Sequence, residues 1–374
     1  MPGLYVHVPF CARKCAYCDF ASEPFDARTN AAERFLSALE QDLARGPKGF
    51  EPDTIFIGGG TPTVLPAPAL GRLLDLVRRH VNPKRVVEWT CEANPVTLDA
   101  EKARLLRQAG VNRLSLGVQS FDDAVLSYLG RLHTAREAEE ALALAREAGF
   151  DNLNLDLMFA VPEAPKDSLA RGLEKIRELR PEHVSVYALI FEPGTPLTRR
   201  RDAGEVREVG AAIQARQYRA TRRRLVEMGY THYEISNYAR PGFECRHNRL
   251  YWEAGEYLGC GPAAHSHWQG RRWGNVRRLE EYAAALNAGR SPVGTEERLE
   301  PAAKAREALV MGLRLVGGVD LGDFRRRTGF DAKVLRGPEI ARLLELGMLE
   351  EDRGRLRLAE KSLFISNAVF AELV

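Results

Sequence analysis

The feature that most restricts how this chain can fold is an alternation. Short apolar β runs and amphipathic helical stretches follow each other from residue 3 to about residue 190. The β runs are "GLYVHV", stopped by Pro9, "TIFIGG", "RVVEWTCEAN", "RLSLGVQS", "NLNLDLMF" and "HVSVYALI". Between them lie "RFLSALEQDLA", "PALGRLLDLVRRH", "AEKARLLRQAG", "AREAEEALALAREAG" and "DSLARGLEKIREL", with apolar residues at helical spacing. Repeated β/α units imply a parallel sheet with right-handed crossovers. Polar residues gather where the strands end: Gly58 to Thr61, Glu92, Gln119 and Asp156. In α/β barrels that edge carries the active site. The expected fold is α/β, a partial (β/α)6 TIM-like barrel.

Past residue 200 the pattern changes. "REVGAAIQARQYRATRRRLVEMGY" reads as one long charged helix with a solvated outer face. A loop-rich, aromatic and histidine-bearing stretch follows. From residue 296 the chain reads as a mainly helical, winged-helix-like domain with a hairpin around Asp352 to Gly354. The expected division is 1–200 for the β/α core, 201–295 for an extension and 296–374 for the C-terminal domain. A wing invites a nucleic-acid reading, but "GMLEEDRGRLRLAEKS" mixes both signs of charge, so no nucleic-acid partner is expected.

The bulk numbers set the compartment. Apolar residues make up 45% and charged residues 28% of the chain, with a formal charge of +3, as in ordinary soluble proteins. There is no apolar run of about 18 residues and no secretory leader. Six cysteines in 374 residues are too few for a disulfide scaffold. The expectation is a reducing cytoplasm, where clustered thiols bind metal more often than they pair.

Three of those cysteines, Cys11, Cys15 and Cys18, stand at C-x3-C-x2-C spacing in "CARKCAYC". Clustered thiolates bind zinc, copper or iron–sulfur clusters. A structural zinc site normally closes with four ligands. His7 offers a fourth, or is simply hydrogen-bonded on its strand. Cys91 reads as a buried strand residue, and Cys245 and Cys260 are distant in sequence. A [4Fe–4S] cluster on three cysteines instead leaves one iron open for a small molecule. The second signal is "GGGTP" after the second strand, where glycines let the backbone approach a ligand.

Together, C-x3-C-x2-C with Tyr17 before the last cysteine and GGGTP resemble the radical SAM superfamily. That resemblance implies a [4Fe–4S] cluster on Cys11, Cys15 and Cys18, with S-adenosylmethionine (SAM) at the open iron. "LYVHVPFC", "GGGTPT", "EANP", "LSLGVQSFDDAVLSYLGRLHT", "NLDLMF" and "SVYALIFEPGTPL" are similar to the branch that holds oxygen-independent coproporphyrinogen III oxidase and the HemW heme chaperones. By that resemblance Tyr5, Gly59, Gly60, Thr61, Glu92, Gln119, Arg131 and Asp156 line the SAM pocket, and Tyr17 packs near the nucleotide. The acids would accept hydrogen bonds, and Arg131 would pair with a carboxylate.

Three features divide the branch. The oxidase motif continues to a further cysteine where this chain has Phe20. The oxidase also carries a long N-terminal extension, whereas Cys11 is reached here after ten residues, so no such segment is expected. "HNRLYW", His247 to Trp252, resembles the HNxxYW motif of the heme chaperones. The resemblance implies that the protein binds heme and passes it to hemoproteins of the respiratory-chain type, with a homodimer and a peripheral membrane contact left open. His247 is the candidate heme ligand, against a packing role; Cys245, Tyr251 and the pair His265 and His267 are its rivals. Whether the protein turns over a substrate stays open at this point.

Overall fold

The computed structural model describes residues 2–374. Six parallel strands form its centre: β1 (Gly3–Val8), β2 (Thr54–Gly59), β3 (Glu88–Ala93), β4 (Arg113–Gln119), β5 (Leu153–Phe159) and β6 (His183–Ala188). They pair in sequence order, as the β/α alternation requires. Pairing of β1 with β2 runs in step from Gly3 opposite Thr54 to Val8 opposite Gly59. This register brings the chain after Val8 and the glycines of "GGGTP" to the same edge.

The intervening helices cover the outside. Helix Ala31–Leu43 buries Phe35, Leu36 and Leu39, and helix Ala67–Arg79 buries Leu70, Leu73, Leu74 and Val77, each set at 3- and 4-residue steps. Local chemistry marks the helix ends. Asp99 accepts from the Lys102 amide at 2.8 Å, and Gly110 closes the same helix in the left-handed region. Thr134 and Glu137 form a capping box. A short helix, Asp123–Leu129, is capped by Asp122 and stopped by Gly130; its single buried turn carries too little periodicity to be read in advance.

The sheet does not end with these six strands. Tyr257–Cys260 pairs parallel with β1, and three antiparallel strands, His265–Trp268, Arg271–Asn275 and Val293–Arg298, continue outward from it. Beyond β6 lie Asn237–Ala239 and Thr231–Glu234, also antiparallel. Residues 201–295 therefore prolong the barrel's sheet at both edges rather than standing apart from it. The charged helix Ala211–Glu227 buries Tyr218, Thr221 and Leu225 along its inner line.

The C-terminal part packs helices Pro301–Gly312, Leu321–Thr328, Gly337–Glu345 and Ser366–Leu373 around a three-stranded sheet. Its hairpin turns at Arg353 and Gly354, both at positive φ, the backbone of a tight two-residue β turn. Among the described residues no helix is long and apolar enough to cross a membrane.

Candidate functional site

A cavity of about 450 Å³ opens at the C-terminal ends of the six strands. Cys11, Cys15 and Cys18 line it, all half-buried and free. Their loop follows β1 and is held from several sides. The Phe25 amide donates to the Cys11 carbonyl at 2.8 Å, and the Leu197 amide donates to that of Ala16 at 2.9 Å. Arg13 Nη2 donates to the Gly130 carbonyl at 2.6 Å. Burial pushes the Cys18 thiol up to about 11, and the neighbouring Cys15 and Cys11 add to the rise. Two donors offset such crowding: Arg131 Nη1 stands 3.4 Å from Cys15 Sγ, and Thr61 Oγ1 3.8 Å from Cys11 Sγ. Among the described residues, no three His, Cys, Asp or Glu converge tightly enough to hold one metal ion. Three thiols spread around one cavity suit three corners of a multi-iron cluster better than a single ion. His7 does not complete a mononuclear site, because its Nε2 is 2.8 Å from the Ala21 carbonyl and its Nδ1 3.0 Å from the Tyr5 hydroxyl.

The glycine turn beside the thiols has no room for side chains. A Cβ on Gly60 would lie 2.3 Å from the Phe10 carbonyl oxygen, and Gly59 sits at φ +101°. The Gly60 amide donates to the Val8 carbonyl at 2.8 Å, and the Thr61 amide to that of Phe10 at 2.6 Å. The turn is thereby fixed against the root of the cysteine loop.

Tyr17, Gly59, Gly60, Thr61, Glu92, Gln119, Arg131 and Asp156 all line the cavity. Tyr5 is the exception; it stands on β1 with its hydroxyl on His7, outside the lining. Glu92 accepts from the Gly59 amide at 3.2 Å. Burial, with Asp156 nearby, raises its carboxyl to about 8. Asp156 is raised too, chiefly by burial, although Asn154 Nδ2 donates to it at 2.8 Å. Arg131 is tied by Nη2 to the Gly117 carbonyl at 2.6 Å, and its Nε has no partner. Gln119 follows a register shift in β4 and holds φ +67°, uncommon for a non-glycine residue. The cavity also takes in Arg113, Asn154, Ser185 and Asn248. Polar residues inside an apolar strand pattern were the available signal for the first three; Asn248 arrives from a distant helix, and its place in the "HNRLYW" motif was the only signal.

That helix, Arg246–Trp252, carries the "HNRLYW" residues and closes the opposite end of the barrel. Glu88, at the start of β3, accepts from the amides of Arg246 at 2.9 Å and His247 at 3.0 Å. The His247 ring is 1% exposed. Its Nδ1 is 2.9 Å from Thr54 Oγ1, and its Nε2 is 2.9 Å from the Tyr251 hydroxyl. Burial lowers its pKa to about 3, so the ring is neutral. In this structure neither ring nitrogen of His247 is free and the side chain packs the barrel floor, the packing alternative to heme ligation. Cys245 is equally buried, with its thiol 3.5 Å from Glu88, and His267 is buried with Nδ1 3.2 Å from the Gly255 carbonyl. His265 is exposed.

Two outcomes follow. His247→Ala removes a buried ring and strands the Thr54 and Tyr251 hydroxyls, so denaturant unfolding should show a loss of about 2–4 kcal/mol. A loss below about 0.5 kcal/mol would contradict the floor role. For Glu92, the folded state keeps a proton that the unfolded state has lost between about pH 4.5 and about pH 8. That contribution to stability is therefore present at low pH and lost as pH rises through this window. The Tm of the metal-free wild type, relative to Glu92→Gln, should fall from pH 5 to pH 8; a constant difference would refute the assignment.

Comparison with known proteins agrees with this architecture. Residues 5–176 match the family model for the radical SAM superfamily, and residues 299–365 match that for the HemN C-terminal domain. The heme chaperone HemW of Bacillus subtilis is 35% identical over 99% of this chain and 98% of its own length. The protein of the same name from Escherichia coli is 34% identical, covering 98% and 96%. In fold, the chain is similar to the E. coli radical SAM enzyme coproporphyrinogen III oxidase, HemN, with a TM-score of 0.87 at 23% identity over 100% of this chain and 90% of that one. With barrel, thiol loop and C-terminal domain all matched over nearly full-length relatives, the chain belongs to the HemW family of the radical SAM superfamily.

Proposed function

We propose that this protein is a heme chaperone that binds heme and hands it to acceptor hemoproteins of the respiratory-chain type. The observation that carries this reading is the end-to-end identity with relatives named heme chaperones, combined with the three-thiol cavity. The proposed cytoplasmic setting, a homodimer and a peripheral membrane contact belong to the same reading.

Cys11, Cys15 and Cys18 would hold a [4Fe–4S] cluster, which supplies an open iron for SAM and, when reduced, an electron. This chain's residues do the rest. Arg131 and Thr61 donate toward the sulfurs and ease the accumulation of negative charge there. Glu92 and Asp156 offer acceptors inside a buried wall, where a cationic or hydroxylated ligand would be favoured over water. Gly59 and Gly60 let the backbone come close on the facing side. Tyr17, on the cavity wall, would pack near the nucleotide.

The rival reading is oxygen-independent coproporphyrinogen III oxidation. The likeness to that enzyme, at 23% identity, speaks for the fold alone. Phe20 stands where the oxidase motif has its further cysteine, which supports the chaperone reading. One pair of assays separates the two. Titration of the reconstituted protein with hemin should sharpen the Soret band, and His247→Ala should keep that change in its folded fraction, since its ring is committed to the floor. Reduced protein given SAM and coproporphyrinogen III should yield no protoporphyrinogen. Protoporphyrinogen formation, or an unchanged hemin spectrum in the wild type, would overturn the reading.

A further inference from the structure

The large apolar side chains left exposed on this protein are not evenly scattered. Phe20 is 61% exposed, Ile190 58%, Leu132 47% and Tyr187 40%, and all four line the mouth of the same cavity. They come from three separate segments: the cysteine loop, the loop after helix Asp123–Leu129, and the end of β6. The cysteine loop is tied to the other two sides of the cavity: Arg13 donates to the Gly130 carbonyl, two residues before Leu132, and the Ala16 carbonyl accepts from the amide of Leu197, in the helix Pro196–Asp202 that follows β6. The four apolar groups thus share the lining of one cavity. Clustered exposure of this kind marks a binding surface.

The mouth also has a charged side. Lys14 Nζ lies 2.9 Å from the Phe20 carbonyl, and its other partner, the Ser22 carbonyl, is equally uncharged. Its positive charge is thus not neutralised by those contacts. Asp19 and Glu192 also reach the mouth, so an anionic ligand has to present its carboxylates on the Lys14 side. A ligand matching this pattern is broad, flat and apolar, with acid groups along one edge.

We propose that heme lies across the barrel mouth, its macrocycle on Phe20, Leu132, Ile190 and Tyr187 and its propionates toward Lys14. The inference rests on the heme-chaperone reading and assigns that reading its seat. It moves heme recognition away from the "HNRLYW" helix to the rim above the thiols.

The test is hemin titration of the full chain after cluster reconstitution, with the cluster absorbance confirming each variant. Leu132→Asp and Ile190→Asp, both outside the cysteine loop, should each weaken hemin binding about tenfold, as should Phe20→Asp. Val334→Asp, at an 84% exposed apolar residue of the C-terminal domain, should leave it unchanged. Lys14→Ala should erase the preference for hemin over hemin dimethyl ester. Wild-type affinity in the Leu132 and Ile190 variants would overturn the rim assignment while leaving the chaperone reading standing. Unchanged affinity with slower transfer to apomyoglobin would overturn it in favour of a protein-docking face. Absence of hemin binding in the wild type would overturn both.

Discussion

The site depends on the in-step pairing of the first two strands. Because Val8 pairs with Gly59, the chain leaving β1 and the turn leaving β2 emerge side by side. Two backbone hydrogen bonds, Gly60 amide to Val8 carbonyl and Thr61 amide to Phe10 carbonyl, then lock the glycine turn to the root of the thiol loop. A slip of one residue would turn the strand's side chains to the opposite face and separate these partners. A Cβ on Gly60 would push against the Phe10 backbone at the same point. The thiol loop and the glycine turn are thus one mechanical unit.

The two ends of the barrel are tied together by buried polar groups. Asp156 at the mouth takes a hydrogen bond from Asn154 Nδ2, and Asn154 Oδ1 accepts from His183 Nδ1 at 2.6 Å. His183 Nε2 faces the Tyr233 hydroxyl at 2.8 Å, whose oxygen accepts from the Cys245 amide at 3.3 Å. The chain is consistent in direction if His183 is neutral with its proton on Nδ1, and burial, the main cause, holds its pKa well below the usual range. Fully satisfied networks of this kind fix one arrangement of a core. They give the "HNRLYW" helix a structural account: it seats the floor on which the pocket's polar wall stands.

Much of this was legible in the sequence, for physical reasons. Short apolar runs announced all six strands, which are buried on both faces, and the 3.6-residue period announced the covering helices other than Asp123–Leu129, each of which buries one face. Thiol spacing and the glycine run announced the mouth, since few residue types fit those tasks. The gaps have causes as well. For His247 heme ligation and packing both stayed open, because a sequence cannot show that Thr54 and Tyr251 would occupy both ring nitrogens. Tyr5 was placed in the pocket by the family resemblance, whereas its hydroxyl turns to His7. Residues 201–295 read only as an extension, because edge strands carry weak periodicity; they prolong the same sheet. That Asn248 of the "HNRLYW" motif reaches the cavity and that the apolar rim residues meet there was not readable, since they come from segments far apart in the chain.

The central claim is that Cys11, Cys15 and Cys18 hold a cluster with one iron open toward the pocket of Glu92 and Asp156. Electron paramagnetic resonance of the reconstituted, reduced protein tests it most directly. The account predicts a [4Fe–4S] signal whose g-values shift when SAM is added, and no such signal in Cys15→Ser. A signal unchanged by SAM would contradict the open iron.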